Sequence, residues 1–323
     1  MSGRKRLWLL AAALLVSAAA GLGQEPSNAR RASSNQELRA WLVNMVWYHR
    51  FSHLEISEAT GIGADEVPAV LAKFGIEPSG RPERRPGDAL DVLPYPGGRH
   101  PRRGFLEGAI RPQRETKVSV FTPWDPNSYV VVDVPEAIWS NLGLTYLAHT
   151  HVPTVWTRQG IELAPLEWKA GQDGSLESER ELPNGIKFGA RVVASAAAVR
   201  MELWLTNGTQ QRLTDLRVQN CVMLKQAAGF DQQDNENKLF SPPYAACRNE
   251  DGSRWIITGW EPHQRVWANE KCPCLHSDPQ FADCEAGETR RLSGWLSFYE
   301  GKDIQGELER IEQTGWRGGP AGR

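Results

Sequence analysis

The chain has no cysteine before residue 221 and, after residue 20, no apolar run approaching the length of a membrane span. Crossing a bilayer takes roughly 20 consecutive apolar residues, so no membrane span is expected beyond the extreme N-terminus. Nor does one charge dominate: 37 Lys and Arg stand against 39 Asp and Glu, for a net charge of -2. Binding a polyanion draws on clustered positive charge, so nucleic acid is not an expected partner. A phosphate loop, a dinucleotide fingerprint, a Gly-x-Ser-x-Gly elbow and a His-Glu-x-x-His helix are all missing. No resident cofactor is therefore expected, with a divalent metal as the alternative argued below.

What is present begins with an export signal. Arg4-Lys5-Arg6 precedes the apolar run Leu7 to Ala20, and small residues follow up to Gly23. That order predicts a cleaved signal peptide over residues 1–23 and a protein that is periplasmic or extracellular. Cleavage removes three positive charges and no acidic ones, taking the net charge from -2 to -5. In an oxidising compartment the five cysteines are expected to pair, Cys221 with Cys247 and either Cys272 or Cys274 with Cys284. An odd count leaves one thiol over.

Two capping boxes, Ser34 with Glu37 and Ser52 with Glu55, open helical patterns that Gly61 and Gly75 can close. Leu38, Trp41, Leu42, Met45 and Val46 line one stripe of the first helix, and the spacing predicts a three-helix unit over residues 34–76. The segment Glu55 to Leu71 resembles a bacterial helix-turn-helix. Its second helix carries Asp65, Glu66 and Pro68 with a single base, Lys73, which removes the charge that phosphates require.

Residues 77–104 form a connector rich in Pro, Gly and Arg. Over 105–318 the pattern predicts a large antiparallel β-sandwich ending in a short helix on Ile304, Leu308 and Ile311. Its strands are read at Val118–Phe121, Tyr129–Val134, Leu144–Val152, Ile186–Val193, Val199–Thr206, Leu213–Met223 and Arg254–Trp260. Corners at Pro183-Asn184-Gly185 and at Asn207-Gly208 predict hairpins.

The run from Leu182 to Ile186, the segments Met201–Gly208 and Asn220–Met223, and the late stretch Gly287–Phe298 together resemble the β-supersandwich of galactose-mutarotase-like proteins. The resemblance covers about half of the mature chain and implies a mainly β, supersandwich-like fold with a carbohydrate ligand. It rests on strand rhythm, and no family residue is carried over.

His149-Thr-His151 is the sharpest chemical signal. Residues two apart on a strand share a face, so both imidazoles can meet one substrate or one metal. A metal there needs a third donor from His276, Asp278, His263 or Glu261. For proton transfer, His149, His151 and His276 are the candidate imidazoles, with Glu261 or Asp278 as the carboxylate. Cys272-Pro-Cys274-Leu-His276-Ser-Asp278 has soft-ligand spacing, but export favours disulfides within a tight Pro-rich loop. Of 13 tryptophans, Trp156, Trp260 and Trp267 are the expected exposed, sugar-facing minority, and His263 is the expected polar contact beside them. The leading expectation is an exported carbohydrate-binding or carbohydrate-active protein. A metal-dependent exported enzyme on His149 and His151, and a non-enzymatic structural or partner-binding module, are the rivals.

Overall fold

A computed structural model describes residues 28–102, 110–149 and 151–318. The expected signal peptide lies outside these residues. The strands are β1 (Val92–Pro94), β2 (Lys117–Phe121), β3 (Tyr129–Ser140), β4 (Gly143–Leu147), β5 (Lys169–Ala170), β6 (Leu176–Glu181), β7 (Lys187–Ala194) and β8 (Ala198–Thr206). The series continues with β9 (Val218–Met223), β10 (Lys238–Ser241), β11 (Tyr244–Arg248), β12 (Arg254–Glu261), β13 (His263–Trp267), β14 (Cys274–Pro279) and β15 (Thr289–Glu300). Helices α1 (Asn35–Val43), α2 (His53–Thr60) and α3 (Val67–Phe74) precede them, and α4 (Ile304–Gln313) follows.

The fold is mainly β. One antiparallel sheet has the order β1-β2-β3-β9-β14-β13, with β4 on the far part of β3, and the other runs β10-β11-β12-β15-β8-β7-β6-β5. Strand alternation builds the space between them. Val130, Val132 and Val134 of β3 point inward to meet Ala190, Val192, Leu203 and Leu296 of the other sheet. Each of these valines and leucines, fully buried, contributes roughly 1.5–3 kcal/mol of transfer free energy.

The two outer faces are covered differently. Leu308, Ile311 and Trp316, from α4 and the turn beyond it, seal the eight-stranded sheet over Tyr244, Ile257 and Trp295. On the seven-stranded sheet, Tyr129, Val131, Cys221, Met223 and Cys274 pack with Tyr95 and Ile110.

The helical segment has its own core of Leu42, Met45, Ile56, Ala59 and Val67. Ser52 and Glu55 make the complete capping box, and Gly61 and Gly75 close α2 and α3 in the left-handed region. A clasp at His49 joins this segment to the sheet. Its Nδ1–H donates to the Asn44 carbonyl at 3.2 Å and its Nε2 accepts from the Ser119 hydroxyl at 2.7 Å. Phe51, Tyr95, Phe121 and Tyr129 surround the ring.

Burial is the largest influence on His49. It outweighs the Asn44 carbonyl, which favours the proton, while Arg99 and Arg81 add to the burial effect and pull the pKa down to about 3. An unfolded histidine titrates near 6.5, so the unfolded state takes up the proton first on acidification. The stabilising contribution is complete above about pH 6.5 and is lost as pH falls toward 3. Urea unfolding between pH 7 and pH 4 is expected to show this slope, and His49→Gln is expected to flatten it. An unchanged slope in the variant would assign the effect to other groups.

Two local readings are corrected. β6 and β7 do form the hairpin across Pro183-Asn184-Gly185, but Asn207-Gly208 is not a hairpin corner. β8 lies in the eight-stranded sheet and β9 in the other, so the chain crosses the sandwich there. The buried Asn207 side chain ties the crossing down by donating to the carbonyls of Gln211 and Cys284 at 2.7 and 2.9 Å. The strand read at Leu144–Val152 ends at Leu147.

The expected disulfides are absent: all five cysteines are buried free thiols. Cys247 and Cys284 belong to the core between the sheets, whereas Cys221, Cys272 and Cys274 belong to the outer face of the seven-stranded sheet. Both expected pairings would have to pass through a sheet, which disulfide reach does not permit.

Candidate functional site

Alternation along β9 and β14 sets the floor of a pocket on the outer face of the seven-stranded sheet. Leu275 of β14 faces the inner core, so Cys274 and His276 face outward. The segment from Cys272 to Asp278, expected as a Pro-rich loop, is therefore largely strand, and that alternation aligns its side chains. The cavity measures about 420 Å³, within the range of small-molecule sites of roughly 300–1,000 Å³. His149, His151, His276, Glu136, Arg102 and Gln219 are among its polar lining residues, and Trp139 and Trp267 are its indoles.

Glu136 stands at the centre of the polar groups. Opposite β9 the pairing steps from Asp133↔Cys221 to Ala137↔Gln219, four residues of β3 against two of the partner. An irregularity of this kind re-aims a side chain that strict alternation would send the other way. The Glu136 carboxylate accepts from Arg102, from His149 Nε2 at 2.8 Å and from Gln219 Nε2 at 2.7 Å. Burial disfavours its charge, but Arg102 and then His149 outweigh burial and hold the pKa well below the usual carboxylate range.

His149 links Glu136 to His151 by hydrogen bonds. Burial dominates at His149 and lowers its pKa to about 4, although its hydrogen bond and attraction to Glu136 work the other way. At neutral pH the ring is therefore uncharged, with its proton on Nε2 toward the ionised Glu136. Its Nδ1 is left as an acceptor, and His151 Nδ1 lies 2.6 Å away as the donor. The two ring planes are nearly parallel, at 18°, with centroids 4.4 Å apart. His151 is exposed at the pocket. The arrangement is a carboxylate, a buried imidazole and an exposed imidazole in series, which can take a proton from a bound molecule and spread the resulting charge inward.

Asp278 is a buried anchor rather than a pocket group. It accepts from Trp267 Nε1 at 2.6 Å, Arg265 Nε at 2.8 Å and the Asn220 amide at 3.2 Å. Trp267 in turn stacks on His276, centroids 4.0 Å apart and planes at 13°.

The other expected site residues are dispersed. Glu261 pairs with His263 at 3.4 Å and with Arg317 at 2.6 Å, and neither Glu261 nor His263 lines the pocket. Trp156 is core, donating from Nε1 to the Thr145 carbonyl at 2.8 Å, and Trp260 is core as well. Trp260 packs against Gly294 directly across the ladder, where an added Cβ would come within 2.6 Å of the indole. Of the three tryptophans expected to be exposed, only Trp267 borders the pocket, and it is half-buried. The three-donor groupings of metal-ligating side chains found among the described residues are Cys221–Cys274–His276 and Asp133–Glu136–Cys221. Neither includes His149 or His151.

Sequence reading missed Glu136, Arg102, Gln219 and Trp139. A trace of the first was present: Asp133 and Glu136 are the only ionisable groups in the otherwise apolar stretch Tyr129 to Trp139 apart from the buried Tyr129 phenol, and a carboxylate in such a strand must be paired or functional.

No protein-family model matches the chain, and no curated protein matches it. Among solved structures, a protein assigned as a kojibiose phosphorylase from the human microbiome is similar at 6% identity, over 58% of this chain and 26% of that one, with a TM-score of 0.34. The chain thus spans about a quarter of that protein's length. A Synechocystis protein is similar at 13% identity, over 68% of this chain and 97% of that one, with a TM-score of 0.35. A heparan sulfate lyase from Pedobacter heparinus is similar at 9% identity, over 78% of this chain and 42% of that one, with a TM-score of 0.34. Among the described residues no helix is long and apolar enough to cross a membrane.

Proposed function

We propose that the outer-face pocket is an acid–base site for a carbohydrate, and that His151 is the group that gives or takes the proton. One observation carries this reading: Glu136, His149 and His151 form a hydrogen-bonded series that runs from buried to exposed and ends in the pocket. The pocket's other groups suit a polyhydroxylated ligand. Arg158, Gln219 and Asn269 offer hydrogen-bonding heads, and Trp139 adds an indole wall. Glu136 and His149 act as positioning residues that set the tautomer of His151, and Asp278 positions Trp267 and His276.

The test has two stages. Neutral, acidic and amino sugars are screened for a shift in Tm, and each binder is followed by NMR in D2O for solvent exchange or product. His151→Ala is expected to lower turnover by roughly 10²–10⁴-fold, the usual worth of a general acid or base, with Tm unchanged. Retained turnover removes His151 from the chemistry. Silence toward every sugar removes the carbohydrate.

Export through residues 1–23 belongs to the same proposal. A periplasmic or secreted form that begins near residue 24, identified by N-terminal mass spectrometry, is the expected result. A full-length cytoplasmic form is the contrary one.

A further inference from the structure

The outer face of the seven-stranded sheet also gathers three of the five thiols, and the acid–base reading uses none of them. Cys221 lies on β9, Cys274 and His276 on β14, and Cys272 just before β14. Register explains the meeting. Cys274 pairs with Met223 and Leu275 with Val222, so continuing the ladder by one residue sets His276 across from Cys221. The ligand atoms of Cys221, Cys274 and His276 lie within 4.8 Å of one another. Cys272 neighbours Cys274, and both line the same pocket.

We infer that Cys221, Cys272, Cys274 and His276 form a zinc-binding centre. Three sulfurs and one imidazole nitrogen are a standard zinc donor set, in which Zn–S bonds of about 2.3 Å place neighbouring sulfurs about 3.8 Å apart. Cys221, Cys274 and His276, within 4.8 Å of one another, are close enough for a small adjustment to close around an ion, and Cys272 would move in from beside them as the fourth donor.

A second observation points to a ligand. His276 is 2% exposed, yet its Nδ1 makes no hydrogen bond of ordinary length: the carboxylates of Asp278 and Glu136 face it only at ion-pair distances of 3.7 and 4.0 Å. A buried polar atom left in this way ordinarily costs about 1–3 kcal/mol, and holding an imidazole ready for a metal accounts for it.

The charge left over is small. The Arg102–Glu136 and Lys117–Asp133 pairs are each neutral, so three thiolates around a dication leave a net -1. Arg102, which acts on both Cys221 and Cys272, is the cation beside that charge. Cys272, Cys274 and His276 line the pocket, which gives an ion a route in from solvent. In binding, the thiols release their protons to solvent and no electron moves.

The test reads metal rather than sugar, so its outcome is separate from that of the acid–base proposal. Full-length protein is purified under reducing conditions, stripped with a chelator and titrated with Zn²⁺ and with Co²⁺. About one equivalent of zinc per chain is expected, and cobalt is expected to give a near-ultraviolet thiolate-to-metal charge-transfer band that zinc abolishes. Cys274→Ser and Cys221→Ser are each expected to weaken the band by about a third or more, while Cys247→Ser, altered in the inner core, keeps it. Reduced wild-type protein that gives no such band overturns the inference, as does a band of full intensity in folded Cys274→Ser. Because the cobalt signal is read first on the unmodified protein, a serine variant that fails to fold still leaves the inference open to refutation.

Discussion

Replacing Glu136 with alanine is expected to lower the unfolding free energy by about 3–5 kcal/mol, the usual cost of removing one partner from a buried charge pair. Its carboxylate is 3% exposed and receives Arg102, whose side chain is 6% exposed. Two further donors, His149 Nε2 and Gln219 Nε2, lose their acceptor at the same stroke. Their unmade hydrogen bonds add to the loss, because buried donors without acceptors keep the full desolvation cost. Glu136→Gln retains the shape and one acceptor oxygen and is expected to lose less. Urea unfolding of both variants measures the difference. A loss below about 1 kcal/mol in the alanine variant would mean that Arg102 and His149 are held by other groups, and Glu136 would no longer be the centre of the site.

Lys117→Met is the second large effect, expected to cost about 3–5 kcal/mol by leaving the Asp133 carboxylate buried without its ammonium. Lys117 Nζ and Asp133 Oδ1 are 2.9 Å apart, and both side chains are fully buried. Desolvation on this scale nearly cancels the attraction within the pair, so removing both charges is a much smaller perturbation than removing one. The double variant Lys117→Met/Asp133→Leu is accordingly expected to recover most of the loss. The double-mutant cycle in urea reads the coupling directly. Purely additive losses would show that the two groups do not compensate each other, contrary to their geometry.

The local patterns were legible. Ser52 and Glu55 announced α2, Gly61 and Gly75 its end and that of α3, and the valines of Tyr129–Val134 announced β3, because each signal depends on neighbours within one turn or one pleat. His149 and His151 were legible as a pair for the same reason, although the strand stops at Leu147 and the bond between their Nδ1 atoms, not a shared strand face, keeps them together. The dispersal of Trp156, Trp260, Glu261 and His263 was not legible. Closeness in sequence to a histidine says nothing about which face of which sheet a side chain takes. Trp260 shows the point, since its burial depends on Gly294, 34 positions away in the sequence and opposite on the ladder.

Cysteine pairing failed on the same ground. Even one residue of register decides whether a strand side chain faces the sandwich interior or the outer surface, and that choice separates Cys247 and Cys284 from the other three thiols.

The sequence by itself determined a mainly β chain with helices at its start and end, because hydrophobic period and capping are local properties. It also contained the two histidines that end the hydrogen-bonded series and the thiol-rich segment around Cys272 and Cys274. Only the tertiary structure decided that β8 and β9 part company at Asn207 and that Glu136 turns outward. The same is true of the meeting of Arg102, His149, His276 and the thiols at one pocket. These are matters of strand register and of which sheet each strand joins, set by the summed burial of many distant side chains and by the pairing of a few buried charges.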